Sequence, residues 1–199
     1  GAMSHANVYI NGQKVGYWPY GYNSFHFDIT KYLKPGEKNT LAVRLENLPE
    51  SSRWYPGAGL YRNVHLIITE DAYIPVWGTY ITTPSVNEKF AKVNVRTKVV
   101  LPEGADPAKY SVETSVWNPN KQKLTAVRTS LAQMKYNNNQ AEQEFVIQAP
   151  SLWSPEMPAL YSAETRLYEG DKLKDIYTTP FGIRSIEIIP DKGFFLNGS

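Results

Sequence analysis

Apolar and polar residues alternate with a period of two along most of this chain, and helical periodicity is nearly absent. Phe25-His26-Phe27-Asp28-Ile29 and Thr40-Leu41-Ala42-Val43-Arg44-Leu45 alternate cleanly, and Tyr61 to Thr69 reads as another strand. Successive side chains of a strand point to opposite faces, so such runs predict strands with one buried face. Val8-Tyr9-Ile10 and Gln13 to Tyr17 flank Asn11-Gly12, whose residues both tolerate positive φ; this predicts a tight hairpin. Thr30 is expected to cap one short helical turn, Lys31 to Leu33, closed by Pro35-Gly36. Between the runs ending at Leu45 and beginning at Tyr61 lies a polar, aromatic loop, Glu46 to Gly59, longer than a hairpin needs. Long ordered loops of this kind often carry function.

Glu70-Asp71 reads as a linker. Seven further runs follow: Ala72 to Thr82, Phe90 to Leu101, Tyr110 to Trp117, Leu124 to Leu131, Gln143 to Ile147, Tyr161 to Tyr168 and Lys174 to Thr179. Asn118-Pro119-Asn120 and Asn137-Asn138-Asn139 are turn signals between them. Seven short strands in about a hundred residues is the count of an immunoglobulin-like sandwich. At the start, Gly1-Ala2-Met3 reads as an expression scar and is set apart from the fold. Near the end, Phe194-Phe195-Leu196 before Asn197-Gly198 reads as the first strand of a hairpin whose second strand is absent. The chain is therefore expected to be a piece of something larger.

Composition narrows the function classes. Lys and Arg number 21 against 19 acidic residues, a net charge of +2, which argues against a nucleic-acid surface. No apolar stretch approaches membrane-spanning length. There are no cysteines, so disulfides and thiolate metal sites are excluded, while cytoplasm and periplasm are not separated. His5, His26 and His65 have no metal-ligand spacing, and the latter two are expected as half-exposed sheet residues. No metal or cofactor is expected.

Val8-Tyr9-Ile10-Asn11-Gly12-Gln13-Lys14-Val15-Gly16 resembles the opening hairpin motif of glycoside hydrolase family 2, the family of β-galactosidases, β-glucuronidases and β-mannosidases. The resemblance continues through Phe27-Asp28-Ile29-Thr30 with Leu33-Lys34-Pro35-Gly36. It is strongest from Ser52-Arg53-Trp54-Tyr55-Pro56-Gly57 to Tyr61-Arg62-Asn63-Val64. Leu152-Trp153-Ser154-Pro155-Glu156 and Phe181-Gly182-Ile183-Arg184 look like the middle domain's corner and exit motifs. The resemblance implies an all-β chain: residues 4–69 the second half of a jelly-roll (galactose-binding-like) sandwich, 70–183 an immunoglobulin-like sandwich, and 184–199 the lead-in to an absent (β/α)8 barrel. It places both catalytic glutamates on that barrel, where a β-linked carbohydrate would be hydrolysed with retention, with β-galactoside as the first expected substrate and β-glucuronide or β-mannoside next. No residue of this chain is then catalytic. The competing expectation is a free-standing carbohydrate-binding or adhesion module, since sandwiches serve many functions.

Particular residues carry particular expectations. Asn47, Arg53, Trp54 and Tyr55 are the candidates for lining the parent's active site, because aromatic faces and amide or guanidinium donors suit sugars. Glu46-Asn47 stands roughly where some family members place an acidic ligand. Tyr17, Trp18, Tyr20 and Tyr22 form a second aromatic cluster, expected at an interface. Trp153 is expected in the sandwich core and Arg184 against barrel carboxylates or carbonyls. Gly57 and Gly59 are expected to supply backbone conformations closed to other residues, and Arg62 is expected to be a buried ion-pair partner. A half jelly roll leaves inner-face side chains uncovered, with Val8, Ile10, Phe25, Phe27, Leu41 and Val43 as candidates. A second copy of the chain, forming a homo-oligomer, is the expected cover.

Overall fold

The structure is a computed structural model that describes residues 1–50, 52–133 and 140–198. It is all-β apart from three short 3-10 turns, and it divides into two compact units, Gly1–Ile67 and Ile68–Ser199. The asparagine run at 137–139 lies outside the described residues.

In the first unit β1 (Ala2–Met3) pairs with β5 (Gly59–Leu60), while β2 (Ala6–Ile10) is flanked by β3 (Gln13–Trp18) and β4 (Leu41–Arg44). The Asn11-Gly12 turn forms as its chemistry demands, with φ of 51° and 82° and Ile10 opposite Gln13. The Asn11 side chain then accepts the Thr40 N–H and donates to the Tyr32 carbonyl and to Asn39, fastening the turn to the distant strand entry. The first three residues are built into the unit: Ala2 is buried and lies opposite Leu60.

Two expected strands are absent. Residues 25–29 and 61–69 keep their alternation but form no regular strand. A strand needs a neighbour for its N–H and C=O groups, and neither segment has a ladder partner. Phe25 and Phe27 instead form an aromatic row with Trp18, ring centroids 5.8 and 5.6 Å apart. Phe27 lies so close to Gly16 that a Cβ there would clash with its ring. The helical turn is Thr30–Tyr32; Ile29, not Thr30, stands at its N-cap without a side-chain cap bond, and the Asp28 carboxylate accepts the Thr30 N–H at 2.9 Å. Of the six residues expected to be uncovered, Val8 and Ile10 are buried, Phe25, Phe27 and Val43 half-buried, and Leu41 exposed. The apolar run that does stand open is Val64, Leu66, Ile67 and Ile68.

The second unit is a two-sheet sandwich. β6 (Thr79–Val86), β7 (Phe90–Lys98) and β10 (Gln140–Gln148) form one sheet in the order β10-β7-β6. β8 (Tyr110–Trp117), β9 (Lys123–Ser130), β11 (Tyr161–Glu169) and β12 (Lys172–Phe181) form the other in the order β12-β11-β8-β9. All pairs are antiparallel. The seven expected strands are all present. The first begins later than its pattern, at Thr79, because residues 72–78 follow a different path. Pro84, which cannot donate to a ladder, sits at a register shift on edge strand β6, where it is tolerated.

Two apolar clusters fill the sandwich, one around Val112 and Leu167, the other around Val93, Val116 and Phe145. The fully buried polar residues Thr97, Thr114 and Thr165 accompany them, with Thr114 and Thr165 hydroxyls 3.2 Å apart. Gln143 of β10 crosses between the sheets. Its amide donates to the carbonyls of Val112 and Val127 and to the Thr129 hydroxyl at 2.8–3.1 Å. The amide nitrogen is matched by these partners while the buried Oε1 has none among the described residues, so the bonds from the nitrogen tie one sheet to the other.

Residues 70–79 run beside β12 and are laced to it by side chains. Asp175 accepts the Ile74 N–H, the Tyr177 hydroxyl accepts the Trp77 N–H, and the Thr79 and Thr179 hydroxyls bond to each other. At the head of this strap the Lys174 ammonium meets Glu70, with Asp71 at 3.3 Å and Glu169 at 3.8 Å. A β-bulge makes this possible: the pairing passes from Leu167↔Asp175 to Tyr168↔Leu173 and leaves Lys174 as the extra residue.

β13 (Ile186–Ile189) and β14 (Gly193–Leu196) form a closing hairpin. Phe194–Leu196 thus has an upstream partner, Ile186–Ile189, among the described residues. Asn197 and Gly198 do adopt the positive φ expected of them, 55° and 84°. Asn197 also donates to the Trp153 carbonyl and accepts the Ser185 N–H. Trp153 is half-buried against Gly182, where a Cβ would meet it at 2.9 Å, while Leu152 packs on the core. Arg184 lies over the Trp153 ring at 5.0 Å, a cation–π contact.

Candidate functional site

The long loop Glu46–Gly59 leaves β4 with its first residue anchored. Glu46 exchanges two hydrogen bonds with Ser4, and its carboxylate pairs with Arg44 at 2.7 Å. The loop base is closed by the Asn47 amide donating to the Pro56 carbonyl at 2.7 Å. Gly59 has a φ of 131°, a conformation other residues rarely adopt, as expected; Gly57 has no such φ and stands in open space.

Within the loop the Ser52 hydroxyl donates to the Trp54 carbonyl at 2.9 Å. The Trp54 indole N–H reaches across to the Tyr22 hydroxyl at 3.0 Å. Tyr22 stands edge-on to Tyr20, ring centroids 5.5 Å apart. The next strand exit braces the same place: Tyr61 donates its hydroxyl proton to the Gly21 carbonyl at 2.7 Å, and Arg62 donates to the Tyr22 carbonyl at 3.1 Å while lying over the Tyr61 ring. Arg62 is therefore an exposed brace and not a buried ion-pair partner.

These contacts redraw the two aromatic groups read from the sequence. The second cluster divides three ways. Tyr17 bonds to His5 at 2.6 Å, Trp18 stacks on Phe25, and Tyr20 and Tyr22 join Trp54. Trp54 remains 61% exposed and Tyr55 fully exposed, with Tyr20 at 54% and Tyr22 at 41%, so the rings are held yet open to solvent. Arg53 is exposed on the same loop. Asn47 is spent on the loop base, which makes it a support of the loop. Sequence reading missed the Tyr22–Trp54 link because it joins two loops 32 residues apart; the only trace was that both loops are rich in tyrosine and tryptophan.

Fixed aromatic faces beside guanidinium donors can stack on the apolar face of a sugar ring and bond to its hydroxyls. His26 and His65 are exposed and lie outside regular strands, unlike the half-exposed sheet positions expected of them. Among the described residues no three His, Cys, Asp or Glu side chains gather as a metal site would require.

Residues 73–184 match the family model of glycosyl hydrolases family 2. The chain is 39% identical over 199 residues to the β-galactosidase BoGH2A of Bacteroides ovatus, covering 100% of this chain and 23% of that protein. It is 34% identical over 211 residues to a β-glucuronidase of Bacteroides fragilis, covering 100% of this chain and 30% of that protein. A crystal structure of a glycosyl hydrolase family 2 member from Bacteroides cellulosilyticus superposes with a TM-score of 0.87 at 33% identity, over 100% of this chain and 25% of that one. The chain thus spans about a quarter of the length of the curated relatives it matches.

Proposed function

Since the chain belongs to glycosyl hydrolases family 2, we propose that it is a non-catalytic sandwich region of a longer retaining exo-β-glycosidase whose substrate is a β-galactoside. One observation carries this reading. The whole chain aligns with a β-galactosidase of which it makes up only 23%. The catalytic glutamates implied by the family belong to a barrel beyond these residues. The galactoside assignment follows the 39% identity to that enzyme, with a β-glucuronidase-like protein of Formosa agariphila at 38%, so the glucuronide is the competing substrate.

In this reading the loop bearing Arg53, Trp54 and Tyr55, with Asn47 closing its base, lines the parent's active site and contacts sugar. The barrel supplies the nucleophile and the acid/base, a pair of carboxylates about 5 Å apart in retaining enzymes. The first unit holds the loop in place through the bonds of Ser4, Arg44 and Tyr22.

A panel of nitrophenyl β-galactoside, β-glucuronide and β-mannoside tests the substrate on the longer protein. The galactoside is expected to be cleaved fastest, with the β-anomer released first. A larger kcat/KM on the glucuronide overturns the galactoside assignment, and release of the α-anomer overturns retention.

A further inference from the structure

We infer that Tyr22 is a positioning residue of the sugar-contacting surface, acting through Trp54; this rests on the reading that the 46–59 loop faces substrate. An exposed tryptophan on a long loop has two free side-chain torsions and no packing to choose between them. Here one bond chooses. The Trp54 indole N–H donates to the Tyr22 hydroxyl at 3.0 Å, although the indole remains 61% exposed.

Tyr22 is itself held from behind. Its carbonyl accepts from Arg62, and the preceding carbonyl, of Gly21, accepts from the Tyr61 hydroxyl. Its ring is braced at the edge by Tyr20. The Ser52 hydroxyl fixes the Trp54 carbonyl from the other side. The surface is therefore assembled from two loops and a strand exit, with the indole orientation set by a residue outside the 46–59 loop. The arrangement leaves an indole face and the Tyr20 and Tyr22 rings presented together, the chemistry that stacks on the C–H face of a pyranoside.

Orientation of this kind lowers the ordering cost of binding, so its loss weakens ground-state and transition-state binding alike. Tyr22→Phe keeps the ring and removes the acceptor. In the longer enzyme it is expected to raise KM for the glycoside about three- to tenfold with kcat nearly unchanged. Trp54→Phe is expected to raise KM at least as much. The double variant decides the route of action: if Tyr22 works through Trp54, adding Tyr22→Phe to Trp54→Phe has no further effect. Additive effects, or an unchanged KM for Tyr22→Phe beside a raised one for Trp54→Phe, overturn the positioning role. An unchanged KM for Trp54→Phe overturns the placement of the loop at the substrate itself.

Discussion

Leu167→Ala is expected to lower the stability of the second unit by about 3 kcal/mol, a fall in melting temperature on the order of 10 °C. Leu167 is fully buried among Ile74, Val99, Tyr110, Val112 and Ala141. These neighbours come from both sheets and from the strap at residues 70–79. Truncation removes apolar contacts and leaves a cavity that strand-bound neighbours collapse into poorly. Val146→Ala, on a strand of the opposite sheet and 50% exposed, is expected to change the melting temperature by no more than about 2 °C. Equal shifts for the two variants in thermal unfolding by circular dichroism would contradict the assignment of the core.

Acid is expected to loosen the second unit through the Lys174 cluster. Hydrogen bonding from Lys174 holds the Glu70 and Asp71 carboxyls below their ordinary values of 4.5 and 3.8. Bonding to Glu70, ahead of Asp71, raises Lys174 above 10.5 although burial pulls it down. The lowered carboxylates contribute stability that is present above their unfolded pKa values and is lost as pH falls through the folded ones. The raised ammonium contributes below 10.5 and loses its share only in strong alkali. The cluster is thus intact from about pH 5 to 10 and loses its contribution as acid carries the pH below the ordinary carboxylate values. Glu169, Lys172 and the Tyr110 hydroxyl share this neighbourhood; burial and then Glu169 raise the tyrosine.

Lys174→Met leaves three carboxylates gathered around an apolar side chain. The variant is expected to melt lower than the parent sequence at pH 7, and to gain stability between pH 7 and 4.5 as protonation relieves repulsion. Over the same interval the parent sequence holds steady. Parallel melting-temperature profiles from pH 7 to 4.5 would show that the lysine does not organise the strap.

How much of this was legible in the sequence follows from where each strand's partner lies. Each of the seven sandwich strands has a ladder partner among the described residues, so period-two alternation became ladder at each of the seven runs. In the first unit the same alternation at 25–29 and 61–69 marks faces without partners, and the segments stay irregular. A local pattern encodes which face is apolar; pairing needs a second segment. The hairpin at 186–196 was missed because its first strand, Ile186–Ile189, is only four residues long, while the Asn197-Gly198 turn signal was read correctly.

The site was half legible. Aromatic and donor residue types in an overlong loop pointed to Arg53, Trp54 and Tyr55, and the structure leaves all three exposed. The bonds that fix the loop were hidden. Tyr22–Trp54, Arg62–Tyr22 and Tyr61–Gly21 span 32 to 40 residues and depend on how three connections meet in space. Arg62 read as buried because it sits in an apolar run, but that run has no partner to bury it. Lys174 was equally unreadable, since the bulge that singles it out appears only once β11 and β12 are in register.

The central claim is that these 199 residues support catalysis without performing it, and a side-by-side assay with nitrophenyl β-galactoside tests it most directly. The longer protein is expected to release nitrophenol with saturation kinetics. The isolated chain at equal molarity is expected to remain at the level of the buffer blank. Turnover above the blank by the purified chain, persisting through successive purification steps, would contradict the account.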